Sequence, residues 1–464
     1  MKNKKIFVLI PDGIGLRNFA YSNFNDLGNQ TGLEMIYWNN TPFNLKKLDL
    51  QEIKINNSKT HPFTDVLKNS RKAIELNLNI KKFNDNVYDS YRFPQSYKTI
   101  KTFIKNVSSN LLTAFFSNES GLVNIRKLIK NQERKTNYYQ SCIETLKTEK
   151  PDLVFCTNQR PVLAIAPILA AQDLKIPTAT FIFSWDNLPK ATMVIETDFY
   201  FVWSELMKEE LIKYYPYIDE NQIFVTGTPQ FENHFNMANL LTKEDFFRQN
   251  KLDISKEYIC FSGDDQTTSP ADPSYLDDFA QSITNLNTKG HQLGIIFRKC
   301  PVDFSGRYDS VLKKYNDLIV PIDPKWGAIG TEWNTVLPTI DDNFLLSNTI
   351  KHSIFVVNIG SSMVFDYISF NKPCCYFNYN QKTDITINWN IHTCYKYVHF
   401  RSMPNKEAVV WFDSLLDIEN KVEMILKNHE NTTKNAKKWF EIINEHPPQN
   451  ASKRILNGIK TIID

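Results

Sequence analysis

Asn358-Ile359-Gly360-Ser361-Ser362-Met363-Val364-Phe365-Asp366, with Asn371-Lys372-Pro373 close behind, decides the fold of this chain. The apolar run Ile354-Phe355-Val356-Val357 leads in and reads as a buried parallel strand. A small-residue turn follows, then a short amphipathic segment carrying Met363, Val364, Tyr367 and Ile368. A second apolar run, Cys374-Cys375-Tyr376-Phe377, closes a strand–turn–helix–strand unit. Its small residues fall at the carboxyl end of a strand, where open α/β sheets bind ligands. Backbone N–H groups at a helix start lack intrahelical partners and suit a diphosphate, and Ser361 and Ser362 add hydroxyl donors. Asp366 lies about one helical turn further on, in reach of a ribose diol. The competing reading of the same residues is a simple helix cap.

The chain on either side repeats this pattern. Ile6 to Ile10 forms a first strand running into Pro11-Asp12-Gly13-Ile14-Gly15, and Leu33 to Trp38 a second. From about 40 to 150 the periodicity predicts helices over Phe63 to Leu78, Tyr97 to Phe116 and Leu122 to Lys147. From Pro151 strands and helices alternate. Strands are expected at Leu153–Phe155, Thr178–Phe183, Phe199–Val202 and Ile223–Val225, with helices at Pro161–Leu174 and Glu205–Tyr214. Gly227-Thr228-Pro229 punctuates the chain near its midpoint. The alternation then restarts with Tyr258–Ser262, Leu293–Phe297 and Leu318–Val320, and the tail from Asp417 reads as helices interrupted at Pro447-Pro448. Such alternation means βαβ units and parallel sheets. Two α/β domains of similar size suggest a cleft between them, a preferred place for a small molecule.

Composition narrows the function. The 464 residues carry 42% hydrophobic and 23% charged side chains, as ordinary globular proteins do. A net charge of +3 is too small to argue for nucleic acid. Seven cysteines without a C-x-x-C pair argue against a disulfide framework or a structural zinc, and fit a reducing cytoplasm. The first apolar run is too short for a signal peptide, and Pro161 to Ala171 is too short to span a bilayer. The expected location is therefore cytoplasmic, with peripheral attachment at the inner face of the cell membrane left open. No H-E-x-x-H, P-loop or G-x-S-x-G signature is present, and Gly13-Ile14-Gly15 is followed by Asn18 where a dinucleotide fingerprint needs Gly.

Several segments carry a family resemblance. Gly360-Ser361-Ser362-Met363-Val364-Phe365-Asp366-Tyr367 with Asn371-Lys372-Pro373 resembles the C-terminal donor motif of GT-B glycosyltransferases. It is similar in particular to the S-S-x-x-x-D-Y…K-P pattern of the CDP-glycerol glycerophosphotransferase family. Val225 to Glu232 resembles the interdomain crossing of bacterial surface-carbohydrate glycosyltransferases, and Phe183-Ser184-Trp185-Asp186-Asn187-Leu188 a loop of their N-terminal domain. The resemblance covers much of residues 151 to 380. It implies a GT-B-like α/β fold: two Rossmann-like domains with parallel sheets facing an interdomain cleft, and a helical C-terminal tail. The expected boundaries are 1–228 for an acceptor domain with a helical insertion and 229–430 for a nucleotide-sugar donor domain. Residues 431–464 are expected to form helices packing back on the first domain. It implies no bound metal or cofactor, the nucleotide sugar being substrate. It also implies a glycan or glycolipid acceptor in surface polysaccharide biosynthesis. The family's R-x-H-P element reads Arg298-Lys299-Cys300-Pro301 here, and the missing histidine favours a sugar as the group transferred.

Donor binding is accordingly expected at Ser262, Gly263, Arg298, Lys299, Gly360, Ser361, Ser362 and Asp366. Arg298 and Lys299 would meet the departing diphosphate with charge-assisted hydrogen bonds, and Gly263 would let the nucleotide approach the backbone. A general base for the acceptor hydroxyl is expected at Asp12, then Asp186, each with a cap or turn as its competing reading. His234 and Glu232 follow the hinge, where a lone histidine is usually structural. Trp326 and Trp333 offer surfaces for a base or sugar. The rival functions are a nucleotide-sugar 2-epimerase or a CDP-glycerol-type glycerophosphotransferase on the same architecture. A further rival is a non-catalytic scaffold that binds a glycan or a protein.

Overall fold

The computed structural model describes residues 4–92, 95–328, 336–381 and 389–464. The chain divides into two compact units, Met1–Pro229 with Ile443–Asp464, and Gln230–Ile442.

Unit 1 is built on β1 (Lys4–Ile10), β2 (Leu33–Asn39), β3 (Glu52–Lys54), β4 (Leu153–Cys156), β5 (Thr178–Phe181), β6 (Phe199–Val202) and β7 (Ile223–Val225). They form one seven-stranded sheet in the order β3-β2-β1-β4-β5-β6-β7, every pairing parallel. Ile6 to Ile10 are all fully buried, which explains why the strand is an unbroken apolar run rather than an alternating one. The helices are the single turn α1 (Gly13–Gly15), α2 (Phe24–Gln30), α3 (Thr64–Phe83), α4 (Ile100–Phe115), α5 (Glu119–Glu133), α6 (Asn137–Glu149), α7 (Ile165–Asp173) and α8 (Glu205–Tyr214). The single helix expected over Leu122 to Lys147 is two. Thr136 stops the first register by capping the second, its side chain accepting the Tyr139 amide at 3.1 Å. The three-residue edge strand β3 carried too short a pattern to be read.

Unit 2 repeats the plan. It contains α9 (Lys243–Gln249), β8 (Glu257–Ser262), α10 (Asp272–Thr288), β9 (Leu293–Arg298), α11 (Asp309–Lys314) and β10 (Ile319–Pro321). A small antiparallel pair, β11 (Gly327–Ala328) and β12 (Val336–Leu337), precedes α12 (Ile340–His352). Then come β13 (Val356–Asn358), α13 (Met363–Ile368), β14 (Cys374–Phe377), α14 (Ile391–Tyr395), β15 (Val410–Phe412), α15 (Ile418–Lys427) and α16 (Glu430–Ile443). The six-stranded sheet runs β10-β9-β8-β13-β14-β15, again all parallel.

Both sheets have the Rossmann strand order, the first strand of each lying centrally. Strand order reverses between β1 and β4 in unit 1 and between β8 and β13 in unit 2. Loops leaving the two strands at such a point diverge and open a crevice at their carboxyl ends.

The tail divides later than residue 431. α16 stays with unit 2, where the Trp439 ring lies 4.8 Å from Phe365 and Phe440 lies 4.8 Å from Phe231. Only the last helix, α17 (Ala451–Ile463), belongs to unit 1, where it packs against α2. No helix among the described residues is long and apolar enough to cross a membrane.

Trp439 is fully buried and its indole N–H donates to Ser402 Oγ at 2.9 Å. Trp439→Ala should cost about 3–5 kcal/mol of unfolding free energy in urea titrations, through the cavity it leaves.

Candidate functional site

The reversal point of unit 2 gathers the residues singled out in the sequence. Asn358 ends β13, and its Oδ1 accepts the Ser361 amide at 3.0 Å. Gly360 turns the chain at φ +63°, a conformation that disfavours a side chain, and a Cβ there would come within 3.1 Å of the Phe400 ring. Ser361 is held by its carbonyl, which accepts the Tyr376 hydroxyl at 2.7 Å. Ser362 starts α13 without using its side chain as a cap, and both serines are half-buried rather than sealed in packing.

Across the reversal, Ser262 ends β8 beside Arg298. The space that a Gly263 side chain would take is occupied by the Tyr308 hydroxyl (2.9 Å) and the Phe297 ring (3.1 Å). Glycine there serves packing, not the approach of a ligand. Beyond it lies a buried polar group. Tyr308 donates to Asp272 at 2.7 Å, the Asp264 amide donates to the same carboxylate at 3.1 Å, and Arg307 donates to the Asp264 carbonyl. Burial, with Asp272 and Asp265 nearby, pushes the Asp264 carboxyl well up.

Arg298 is only 6% exposed, and its Nη2 donates to both Asp342 oxygens at 2.9 Å. The Lys325 amide and the Trp326 indole converge on the same carboxylate at 2.8 Å each. Arg298 thus spends one arm on a buried ion pair, and its buried Nη1 has no hydrogen-bond partner among the described residues. Trp326 supports that pair and is not a free stacking surface; Trp333 lies outside the described residues. Lys299 points outward and pairs with Asp323 at 3.2 Å.

Asp366 does not face outward to a ribose. It is 3% exposed and its Oδ1 meets His234 Nε2 at 2.8 Å, while His234 Nδ1 meets the Ser347 hydroxyl at 2.9 Å. Tyr367 bonds Ser353 Oγ at 2.6 Å. Lys372 donates to the carbonyls of Ile350 (2.8 Å), Lys351 (2.6 Å) and Ser353, satisfying the last orphan acceptors of α12. Asp366, Tyr367 and Lys372 therefore tie α13 and the strand after it to α12 and to the segment Pro229–Phe235. These three positions of the donor-like motif have architectural work here, with His234 the partner of Asp366 and the end of α12 that of Tyr367 and Lys372.

In unit 1 the reversal point holds Asp12. Asn158, just past β4, donates to its Oδ2 at 2.8 Å, and Asp12 Oδ1 is buried with no hydrogen-bond partner among the described residues. Burial raises its carboxyl from 3.8 to about 6, against the pull of the Gly15 amide, Arg160 and Asn158. Gln159, fully buried, donates to Asn187 at 3.0 Å and accepts the Phe183 amide at 3.0 Å. Asn187 in turn donates to Asp186 at 2.8 Å, and Lys190 closes an ion pair with that carboxylate. Two consecutive residues thus serve the two carboxyls separately: Asn158 bonds Asp12 directly, and Gln159 reaches Asp186 through Asn187. The signal for them was the run Thr157-Asn158-Gln159-Arg160 immediately after a strand, which sequence reading passed over. Glu210 is also raised, to about 8, by burial and the charge of Asp186.

No family model matches the chain, and no curated protein does. Solved structures do. S. aureus MnaA, solved with UDP, is 13% identical over 98% of this chain and 96% of its own, with a TM-score of 0.53. A UDP-N-acetylglucosamine 2-epimerase is 12% identical over 99% and 96%, TM-score 0.55. A glycosyltransferase from Rickettsia africae ESF-5 is 11% identical over the whole of both chains, TM-score 0.52. At these identities the likeness is one of fold, and it spans the full chain: two Rossmann-like α/β units of the GT-B type with a helical tail.

Two measurements follow from the geometry. Between pH 4 and 6 the folded chain holds an Asp12 proton that the unfolded chain has released, so stability falls as pH rises through that window. Above pH 6 the full penalty persists. Asp12→Asn should therefore be more stable than the parent at pH 8, on the order of 2 kcal/mol, with the gap closing by pH 4. A gap independent of pH would remove Asp12 from the titrating groups. Asp366→Ala should lose on the order of 2 kcal/mol by removing the partner of His234; unchanged stability with weakened nucleotide binding would instead return Asp366 to a ribose-reading role.

Proposed function

We propose that this chain is an enzyme acting on a nucleotide-activated sugar by breaking the bond between its anomeric carbon and the diphosphate. The observation that carries this reading is Asp12: a carboxyl at a topological reversal point, raised by burial to about 6, with one oxygen lacking a hydrogen-bond partner among the described residues. The side chains we assign to the diphosphate are Ser361 and Ser362, joined by the Arg298 Nη1 that has no partner among the described residues.

Epimerisation at C2 is the outcome we put first, because two of the fold likenesses, with TM-scores of 0.54 and 0.55, are to UDP-N-acetylglucosamine 2-epimerases, the first of them described as putative. Inverting C2 requires its C–H bond to break. That proton becomes accessible when its bonding electrons form a C1–C2 double bond as the C1–O pair leaves with the diphosphate. A carboxylate takes the proton; a proton then returns to C2 from the opposite face as the diphosphate oxygen re-forms the C1–O bond on the face it left. Asp12 is the candidate base. The second reading is transfer to a glycan or glycolipid, favoured by the motifs at Val225–Glu232 and Gly360–Tyr367. It breaks the same C1–O bond, and Asp12 or Asp186 deprotonates the acceptor hydroxyl.

Incubation with UDP-N-acetylglucosamine in D2O without acceptor separates the readings by mass. Epimerisation adds one deuterium and yields the C2 epimer. Consumption of the sugar nucleotide only when a glycan acceptor is supplied means transfer. Absence of both reactions and of UDP binding means a scaffold. Asp12→Asn should lower turnover about 10²–10⁴-fold with little change in nucleotide affinity. Ser361→Ala with Ser362→Ala should weaken UDP binding about tenfold by calorimetry.

A further inference from the structure

Helix α4 is built inside out. At 100° per residue, Ile100, Phe103, Ile104, Val107, Leu111, Ala114 and Phe115 share an arc of about 120°. That arc faces solvent: Ile100 is 82% exposed, Phe115 81% and Leu111 67%. The opposite face is turned inward and is mixed. Ser109 is buried and shares contacts of 3.1 and 3.2 Å with Ser70 of α3, Lys105 pairs with Asp65 at 3.1 Å, and Leu112, with Phe116 at the helix end, packs on the unit 1 core. The helix is therefore already moored to unit 1 by that side, and its larger apolar arc is left facing outward. A contiguous apolar strip of this kind marks an interaction surface.

Charge says what it meets. From Ser90 to Asn118 the chain has no Asp or Glu, and the exposed Lys98 and Lys101 lie at the start and flank of the strip, Lys105 being already paired with Asp65. Tyr97 and Phe103 add aromatic rings in contact at its leading end. Apolar residues with aromatics, flanked by lysines and free of acids, match an anionic lipid surface. A second copy of the same face fits poorly, since it would set lysines against lysines with no carboxylate in the segment to answer them.

We propose that α4 docks this chain on an anionic membrane, its apolar arc entering the headgroup boundary and Lys98 and Lys101 meeting lipid phosphates. The surface stands apart from Asp12 and Ser361 in the sequence and does not depend on which reaction the enzyme performs.

Co-sedimentation of the full chain with vesicles of equimolar phosphatidylglycerol and phosphatidylcholine tests it. The parent should pellet with these vesicles, and much less with phosphatidylcholine alone or in high salt. Leu111→Gln with Phe115→Gln should reduce partitioning about tenfold or more, and Lys98→Gln with Lys101→Gln should reduce it on the anionic vesicles only. All four side chains are exposed, so circular dichroism and UDP binding should stay unchanged, keeping a docking failure distinct from a folding or catalytic one. Equal pelleting of the parent and the Leu111/Phe115 variant would overturn the proposal. So would a lipid-free dimer that the same variant dissociates, which would give the face to a second copy.

Discussion

The reversal of strand order inside each parallel sheet is the constraint on which the rest depends. A sheet buried on both faces can contact a ligand only at its edges or its ends. Where successive connections leave in opposite directions, the carboxyl ends of two neighbouring strands are left uncovered. β1 with β4 and β8 with β13 are those pairs here. Most of the chemically interesting side chains, Asp12 and Asn158 in one unit and Ser361 and Asp264 in the other, follow directly from the ends of those four strands. Their proximity within each unit is a consequence of topology before it is one of chemistry.

Much of this was legible in the sequence because buried parallel strands write themselves as apolar runs followed by small or polar residues. Ile6–Ile10 into Pro11-Asp12-Gly13 and Ile354–Val357 into Gly360-Ser361-Ser362 are both of that kind. The short edge strands Glu52–Lys54 and Val410–Phe412 escaped notice, the first because it sets a single apolar residue between two charged ones. So did the break between α5 and α6, a matter of one capping threonine. Side-chain direction was less legible than position. Asp366 sits where a ribose-reading acid would be counted along the chain, yet the helix turns it toward His234, 132 residues away in sequence. Gly263 likewise marks a close approach, but the approaching group is Tyr308.

The motif Ser361…Asp366-Tyr367…Lys372 therefore mixes two kinds of residue. Its serines keep half-buried hydroxyls at the strand end. Its later members hold the helix α13 in place through His234, Ser353 and the carboxyl end of α12. A pattern shared with other α/β proteins can persist for the second reason alone, because satisfying three helix-terminal carbonyls with one ammonium is a structural requirement wherever that helix ends. Conversely, Asn158 and Gln159 belong to none of the motifs read above, yet one bonds Asp12 and the other bonds Asn187, the neighbour and partner of Asp186.

The return of α17 to unit 1 has a consequence for synthesis. Arg454 donates from this last helix to the carbonyl of Thr226 at 2.7 Å and to that of Glu445 at 3.0 Å, and Gly458 lies against Phe201 and Phe224. During translation all of unit 2 is made before these contacts exist. The amino-terminal unit must wait on the ribosome with the β6–β7 flank of its sheet bare, while the later-made unit already has every residue it needs. The order in which the two units are synthesised is thus the reverse of the order in which they can be completed.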